Sequence, residues 1–152
     1  MSDRGLVVLG SDERTPLTAA VEADLRARGH EVVMIGPPAQ RPDEDEKQWA
    51  QVGHEVGEAV ARGEAESGVL FCWTGTGASI AANKVPGVRA ALCADAETAR
   101  GARRWNDANA LALSLRTTSE ALLEEILDAW LEGEPSHEDD DRANVRHLDE
   151  IS

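Results

Sequence analysis

The sequence contains few cysteines, few basic residues and no long apolar run, and each scarcity argues against a class of protein. Its two cysteines, Cys72 and Cys93, follow no metal-ligand spacing, so we expect neither a disulfide framework nor a zinc knuckle. No stretch approaches the roughly 20 apolar residues that a membrane-spanning helix requires. Because the start, MSDRGLVVLGSDERT, has neither a basic leader nor a small-residue cleavage site, we expect a cytoplasmic protein.

Basic residues are outnumbered, since 15 lysines and arginines face 29 acidic residues and leave a formal net charge of −14. Such a charge repels phosphate backbones and anionic membrane surfaces, so we expect no nucleic-acid partner and no membrane partner. An anionic ligand would need a local cluster of arginines to hold it against this unfavourable field.

Apolar runs rich in valine and leucine alternate with segments of helical period. The predicted strands cover residues 6–11, 31–37, 67–73, 88–94 and 110–115. The predicted helices cover residues 16–28, 46–62, 77–84, 97–106 and 118–131. Near-continuous apolar strands separated by helices are typical of a parallel sheet covered on both faces, so we predict a three-layer α/β domain with a five-stranded parallel sheet. A chain of 152 residues suffices for one core and is too short for two ordinary domains, which predicts a single domain over residues 1–152.

The C-terminal segment follows a different pattern. From about residue 133 apolar residues no longer recur at regular intervals. Val145, Leu148 and Ile151 then follow at helical spacing. We predict an arm over residues 133–152 with a short helix that lies across the domain or across a partner subunit. His137 and the acidic residues after it are typical of a solvated turn and not of a metal site, because hard cations bind spaced ligands from a shaped loop. We therefore expect no metal site, and no cofactor.

The residues that follow the predicted strands are candidates for a binding site, because ligands of parallel α/β sheets bind outside the carboxyl ends of the strands. We expect all of them to lie on one edge of the sheet. They are Ser11, Asp12, Cys72, Thr74, Asp95 and Arg116.

The run LFCWTGTGASIAANK, residues 70–84, sets a glycine loop between a predicted strand and a predicted helix. A loop of this kind collects backbone N–H groups at the positive end of a helix, which makes it a site for anions. Two chemistries use such a loop: binding of a dinucleotide, and stabilisation of the enediolate that forms when a proton is removed next to a carbonyl. The amides concerned belong to Gly75, Thr76, Gly77, Ala78 and Ser79.

The dinucleotide interpretation rests on Gly75 and Gly77 and on Asp95, which follows at the end of the next strand. Against it, the third glycine of the motif is missing and the helix after the loop is short. In the enediolate interpretation Cys72 is the base, because a helix N-terminus stabilises a thiolate. The alternative for Cys72 is a core residue, a common role for a cysteine in an apolar strand. We expect Cys93 to lie in the core.

Three segments stand out together: CWTGTGASIAANKVPGVRAALC, NDANALALSLR, and RANVRHLDEI with its R-x-x-x-R spacing. They resemble the type B ribose-5-phosphate isomerases and the related galactose-6-phosphate isomerases, whose usual loop reads C-G-T-G-x-G-x-S-I-A-A-N-K. The resemblance implies a Rossmann-like domain that acts on a sugar phosphate, and a homodimer or tetramer whose active sites are each built from two subunits. It also implies that Cys72 moves the proton between two substrate carbons and that Thr74 assists at the substrate oxygens.

The resemblance assigns the substrate phosphate to Arg116, Arg142 and Arg146, the arginine cluster that the acidic net charge makes necessary. Arg142 and Arg146 are four residues apart and therefore share one face of a helix. The alternative for Arg142 is an ion pair with the neighbouring acidic run. Asn106 is expected to bind substrate hydroxyls.

The chain also departs from the family pattern. The first ligand loop keeps Asp12 but has Glu13 in place of a histidine. Trp73 stands in place of a loop glycine, and Trp105 in place of a histidine that opens the sugar ring. An indole cannot carry a proton at neutral pH, and His147 is the only histidine expected near the matched positions. We expect the two indoles to narrow the ligand pocket.

These observations predict an aldose–ketose isomerase that acts on a sugar phosphate through an enediolate formed by Cys72. The substrate is expected to be other than ribose 5-phosphate, and either already open-chain or opened with help from Asp12 or Glu13. The carboxylate of Glu13 disfavours a phosphate placed close to it. Two alternatives stay open: a sugar-phosphate-binding protein that has lost catalysis, and a dinucleotide-binding domain.

Overall fold

The computed structural model describes residues 4–151, which form a five-stranded parallel sheet with helices on both faces. The three-layer, Rossmann-like architecture predicted from the sequence is confirmed. The strands are β1 (Arg4–Ser11), β2 (His30–Ile35), β3 (Ser67–Cys72), β4 (Ala90–Leu92) and β5 (Ala110–Ser114). The helices are α1 (Pro16–Ala27), α2 (Trp49–Ala61), α3 (Thr76–Asn83), α4 (Ala96–Asn106), α5 (Glu120–Glu132) and α6 (Asp139–Glu150).

The bounds of most elements differ by a few residues from those predicted, and three of the differences have a visible cause. β4 begins at Ala90 and not at residue 88, because the chain turns at Gly87 (φ +89) before strand pairing starts. α2 begins at Trp49 and not at residue 46, because residues 42–46 form a turn. α6 begins at Asp139, so the acidic residues expected in a solvated turn form the first turn of a helix, where carboxylates interact favourably with the positive helix end.

The strand order is β2-β1-β3-β5-β4, and all paired strands are parallel. From β1 the chain moves to one side to form β2 and then to the other side to form β3, so the order reverses between β1 and β3. Ligands of such sheets bind beside this reversal, outside the carboxyl ends of the strands. We call that side the carboxyl edge of the sheet, and the side where the strands begin the amino edge.

Each face of the sheet carries its own hydrophobic core, because alternate strand residues point to opposite faces. Phe71 of β3 faces the core under α1, α4 and α5, which also buries Trp130. Cys72, the next residue, faces the core under α2 and α3. Small residues let these two helices approach closely: a Cβ atom on Gly53 of α2 would lie 2.7 Å from the carbonyl oxygen of Ala78 in α3.

The two thiols form no disulfide, and the polar side chains form no metal site among residues 4–151. Cys72 and Cys93 are both free and buried, and Cys93 lies in the core as expected. Residues 4–151 contain no group of three or more histidine, cysteine, aspartate or glutamate side chains that could hold a metal ion. Within the same residues, every helix is too short or too polar to cross a membrane.

Candidate active site

The carboxyl edge brings together residues that follow β1, β3 and β5. β3 and β5 continue to pair beyond their last strand residues. The Leu115 N–H donates to the Cys72 carbonyl (3.0 Å), and the Arg116 N–H donates to the Trp73 carbonyl (3.0 Å). This pairing holds Arg116 next to the glycine loop. We call the following residues the carboxyl-edge group: Asp12, Glu13, Cys72, Trp73, Thr74, Gly75, Thr76, Gly77, Ala78, Ser79 and Arg116.

The hydroxyl of Ser114 fixes this junction. Ser114 is 8% exposed, and its Oγ donates to the Trp73 carbonyl at 2.9 Å. The same oxygen accepts hydrogen bonds from the backbone N–H groups of Arg116 and Thr117, each at 3.1 Å. One buried side chain therefore ties together the loops that follow β3 and β5.

The glycine loop presents main-chain donors at the surface. Gly75 precedes α3 in a left-handed backbone conformation (φ +80). Among residues 4–151, no side chain caps the start of α3, so the backbone N–H groups of Thr76, Gly77 and Ala78 stay available to an anionic ligand. The Ser79 N–H, also predicted as a donor, is not available, because it donates to the Gly75 carbonyl at 3.2 Å. The hydroxyls of Thr74 and Thr76 are exposed and hydrogen-bonded to each other at 2.7 Å.

Trp49 lies against this loop, although no sequence motif connects the two. It is the first residue of α2, and it is 44% exposed. Its indole packs on Gly77, where an added Cβ atom would lie 2.7 Å from the ring. The sequence offers one signal for this contact, the position of Trp49 near the start of a predicted helix. That helix starts after the carboxyl end of β2, at the same edge of the sheet as the glycine loop.

Cys72 lies at the border between the loop and the core. Its side chain is 5% exposed and belongs to the core that also contains Ala78 and Ala112. Four surface pockets among residues 4–151 are lined by other residues and not by Cys72. In a single chain the thiol therefore faces mainly core atoms.

Asp12 offers a carboxyl group with unusual surroundings. Its Oδ1 is buried and has no hydrogen-bond partner among residues 4–151. The pKa of this carboxyl lies above its ordinary value, mainly because burial disfavours the charged form. A hydrogen bond from its own backbone N–H lowers the pKa, and the negative charge of the neighbouring Glu13 raises it. These surroundings favour the protonated form of Asp12 more than those of an ordinary, exposed aspartate do.

The other predicted site residues lie at the opposite edge of the sheet. α4 starts after the carboxyl end of β4 and runs back, so Trp105 and Asn106 lie where β5 begins. α6 packs against α4, and a groove of about 310 Å³ is lined by Trp105, Arg142 and Arg146. We call Trp105, Asn106, Arg142 and Arg146 the amino-edge group.

A single chain does not bring the two groups together. β5 crosses the sheet from Ala110 to Ser114, a rise of roughly 13 Å at about 3.3 Å per residue. Arg116 lies beyond its end, whereas Arg142 and Arg146 lie at its start. No single chain therefore contains the expected cluster of three arginines.

Two histidines lie near the amino-edge group, and one of them was not expected there. His137, predicted to lie in a solvated turn, lines the groove of the amino-edge group. His147, expected near these positions, directly follows Arg146 in α6; it is exposed, lies outside the groove lining, and has its imidazole 3.9 Å from Glu150. His137 borders the groove because α6 begins at Asp139, which leaves His137 on the linker before the helix.

Comparison with known proteins identifies the family. A family model described as Ribose/Galactose Isomerase matches residues 7–150. The chain belongs to this family. Within the ribose/galactose isomerase family, galactose-6-phosphate isomerase subunit LacB of Clostridium acetobutylicum is 34% identical over 147 residues, which cover 96% of this chain and 83% of the relative. Ribose-5-phosphate isomerase B of Escherichia coli is 40% identical over 112 residues, 73% of this chain and 72% of the relative.

The family members carry different substrate names. D-erythrulose-4-phosphate isomerase 2 of Mycolicibacterium smegmatis is 32% identical over 130 residues, 82% of each chain. The type B ribose 5-phosphate isomerase of Trypanosoma brucei has the same fold, with a TM-score of 0.88, 37% identity and coverage of 100% of both chains. The resemblance carried by the glycine loop is thereby confirmed. Membership in the ribose/galactose isomerase family does not by itself select one substrate.

We predict that Gly75→Ala destabilises the protein more than Gly63→Ala does. Both glycines have a positive φ, +80 and +73, so the backbone cost of alanine is about 1–2 kcal/mol at each. A Cβ atom on Gly75 would also lie 2.6 Å from the Leu92 side chain and 2.9 Å from the Leu113 backbone. At Gly63, nothing among residues 4–151 lies within 4 Å of the added atom. Urea unfolding should therefore give a further loss of about 1 kcal/mol or more for Gly75→Ala, and equal losses at the two positions would contradict a tightly packed loop.

Proposed function

We propose that the chain is an aldose–ketose isomerase whose substrate is a short sugar phosphate that stays open-chain. The observation that carries the proposal is the glycine loop, in which only Trp73, Thr74 and Gly75 separate Cys72, the last residue of β3, from the uncapped start of α3. Membership in the ribose/galactose isomerase family supports the same reaction class. Such a reaction moves a proton between neighbouring carbons and consumes no oxidant or reductant.

In the proposed reaction, the Cys72 thiolate removes a proton from the carbon next to the substrate carbonyl. The electron pair of the broken C–H bond forms the carbon–carbon double bond of the enediolate, and the carbonyl π pair moves onto oxygen. Cys72 then returns the proton to the former carbonyl carbon. The negative oxygen is stabilised by the backbone N–H groups of Thr76, Gly77 and Ala78 in the first turn of α3.

A second proton has to move between the two enediolate oxygens, and Asp12 suits this step. Its carboxyl has a raised pKa and a buried oxygen that lacks a hydrogen-bond partner among residues 4–151. Asp12 follows β1, the strand beside β3, at the reversal of strand order where ligands bind. Thr74, exposed at the head of the loop, donates a hydrogen bond to one of the same oxygens.

We infer that the working unit is a homodimer in which the amino-edge group of one copy completes the carboxyl-edge group of the other. The separation of the two groups supports this, because a second copy can supply the half that each edge lacks. Exposed apolar side chains also support an interface near β4 and α6: Leu92, Leu148 and Ile151 are 41%, 41% and 66% exposed. A two-fold arrangement builds two complete sites at once.

The proposed phosphate ligands are Arg116 of one copy and Arg142 and Arg146 of the other. All three side chains are exposed. Guanidinium groups bind phosphate through paired, charge-assisted hydrogen bonds, and three of them offset the repulsion from a net charge of −14. Asn106, adjacent to Trp105 in the amino-edge group, binds substrate hydroxyls.

Trp105 indicates the class of substrate. The family resemblance gives this position to a ring-opening histidine, and an indole cannot transfer the proton that ring opening requires. A four-carbon sugar phosphate needs no such group. In the aldose, the hydroxyl that would close a five-membered ring carries the phosphate, and the ketose has no carbon far enough away to close one. The name of the Mycolicibacterium smegmatis relative supports this class, so we propose D-erythrulose 4-phosphate and the matching aldose as the substrate pair.

His137 favours a second candidate, a ring-opening isomerase of cyclic ribose 5-phosphate. It lines the amino-edge groove with Trp105, and an imidazole can transfer protons near neutral pH. In this candidate His137 performs the ring opening that Trp105 cannot perform. The two candidates differ in their substrate and in the effect of replacing His137.

We predict that kcat/KM for D-erythrulose 4-phosphate exceeds that for ribose 5-phosphate by about 100-fold or more, because ring opening of the pentose is not catalysed. Product formation from each sugar can be followed by NMR. Efficient turnover of ribose 5-phosphate that is lost in His137→Gln would refute the open-chain substrate and establish the second candidate.

We predict that Cys72→Ala lowers kcat by about 10³-fold, because the reaction loses its base. Cys93→Ala is the matched control: burial, with a smaller contribution from Asp95, raises the pKa of the Cys93 thiol to about 11, so this thiol is not a base at neutral pH. In deuterium oxide the wild-type protein should exchange the proton next to the carbonyl, and Cys72→Ala should not. A wild-type protein that binds the sugar without exchange would be a sugar-phosphate-binding protein and not an isomerase.

We predict that two inactive variants restore activity when they are refolded together. Cys72→Ala disables the carboxyl-edge group, and the double variant Arg142→Met/Arg146→Met disables the amino-edge group. In random mixing, half of the dimers contain one chain of each kind and have one intact site, which gives about a quarter of wild-type activity. Each variant refolded alone is the control. If native mass spectrometry detects mixed dimers that remain inactive, the shared site is excluded.

A further inference from the structure

Helix α6 carries two of the proposed phosphate ligands but buries none of its own side chains. All residues of Asp139–Glu150 belong to the described chain, and none of them is buried. A helix with few buried contacts opens locally at low free energy unless specific polar contacts hold it. The directions of Arg142 and Arg146 therefore depend on such contacts.

Arg89 makes a contact of this kind. Its Nη1 lies 3.0 Å from Oδ1 of Asp149 in α6, and the Arg89 side chain is 16% exposed. The two residues are 60 positions apart in the sequence, so the ion pair ties α6 to the segment before β4. The Asp149 side chain is 48% exposed, so water screens the pair, but the mostly buried guanidinium of Arg89 is fixed in position by its other contacts.

Asp149 shares a face of α6 with the proposed phosphate ligands. Positions 142, 146 and 149 are separated by four and by three residues, the spacings that align side chains along one side of a helix. A contact that holds Asp149 therefore also fixes the rotation of α6 about its own axis. That rotation determines where Arg142 and Arg146 point.

The same arginine contacts the end of α4, the other part of the amino-edge group. Arg89 Nε donates to the Asp107 carbonyl at 2.8 Å, and Nη2 lies 3.5 Å from Asp107 Oδ2. Asp107 directly follows Trp105 and Asn106 and ends α4 with φ +44, a conformation that non-glycine residues rarely adopt. Arg103 lies 3.5 Å from the other carboxylate oxygen of Asp107. Arg89 thus bridges the end of α4 and α6.

We propose that Arg89 is a positioning residue that holds the end of α4 and helix α6 in one arrangement, and that it acts on α6 through Asp149. The inference rests on the proposed function, because it reaches the substrate only through Arg142 and Arg146. Arg89 touches neither the thiol nor the glycine loop, which lie at the other edge of the sheet. Its loss should therefore weaken binding of the phosphate and leave the proton-transfer step unchanged.

The test uses the full-length Asp149→Asn protein, in which the side chain keeps its shape and loses its charge. KM for D-erythrulose 4-phosphate and the inhibition constant of inorganic phosphate should both rise by roughly two- to five-fold, with kcat within about two-fold of wild type. Backbone amides of residues 139–150 should exchange with solvent faster. Glu22→Gln, which breaks the pair of Glu22 with Arg26 on α1 (3.0 Å), is the matched control and should change none of these quantities.

The Arg89→Lys variant provides a second test. Lysine keeps the positive charge but cannot bridge Asp107 and Asp149 in the same way, so KM should rise at least as much as in Asp149→Asn. In the double variant KM should rise no further than in Arg89→Lys alone, because Arg89→Lys already removes the contact with Asp149. An unchanged KM and an unchanged phosphate inhibition constant in Asp149→Asn would overturn the inference, and so would a fall in kcat at constant KM.

Failure of this inference can be told apart from failure of the proposed function. If the wild-type protein neither isomerises the sugar nor binds inorganic phosphate, the proposed function fails. Hydrogen exchange of residues 139–150 still reports whether Asp149 holds α6. Faster exchange in Asp149→Asn supports the positioning contact, and exchange equal to that of wild type refutes it.

Discussion

All five strands of the sheet run in one direction, and this polarity decides where each side chain of the proposed site lies. A loop that follows a strand lies at the carboxyl edge, whereas the end of a helix that leads into the next strand lies at the amino edge. Cys72 ends β3, and Trp105 lies in the last turn of α4 before β5. Movement of loops within one chain cannot unite them, because the sheet lies between. The proposed sharing of sites between two copies follows from this geometry.

Close packing at the carboxyl edge gives the glycine loop a fixed shape. Gly53 lets α2 approach the backbone of α3, and the indole of Trp49 covers Gly77. The hydroxyl of Ser114 holds the loops after β3 and β5 together. Fixed donors suit the proposed reaction, because charge that develops on a substrate oxygen is best stabilised by dipoles that are already oriented. The small residues that allow this close packing therefore also support the proposed chemistry of the loop.

The fold and the glycine loop could be predicted from the sequence because their signals are local. Apolar runs that alternate with helical segments predict the strands, and the groups offered by the loop are main-chain amides of consecutive residues. The rest depends on how distant segments pack. Trp49 reaches the loop through the contact of α2 with α3, and Arg89 meets Asp149 across 60 positions. His137 borders the amino-edge groove because α6 packs on α4, and no short motif records such a contact.

The negative net charge of the chain affects the association of two copies. Each chain has a formal charge of −14, so two copies repel each other before their edges make contact. Dissolved ions reduce the range of this repulsion to about 8 Å at physiological ionic strength. The same ions weaken the attraction between arginines and a phosphate. In the proposed dimer, ionic strength therefore acts in opposite directions on assembly and on capture of the ligand.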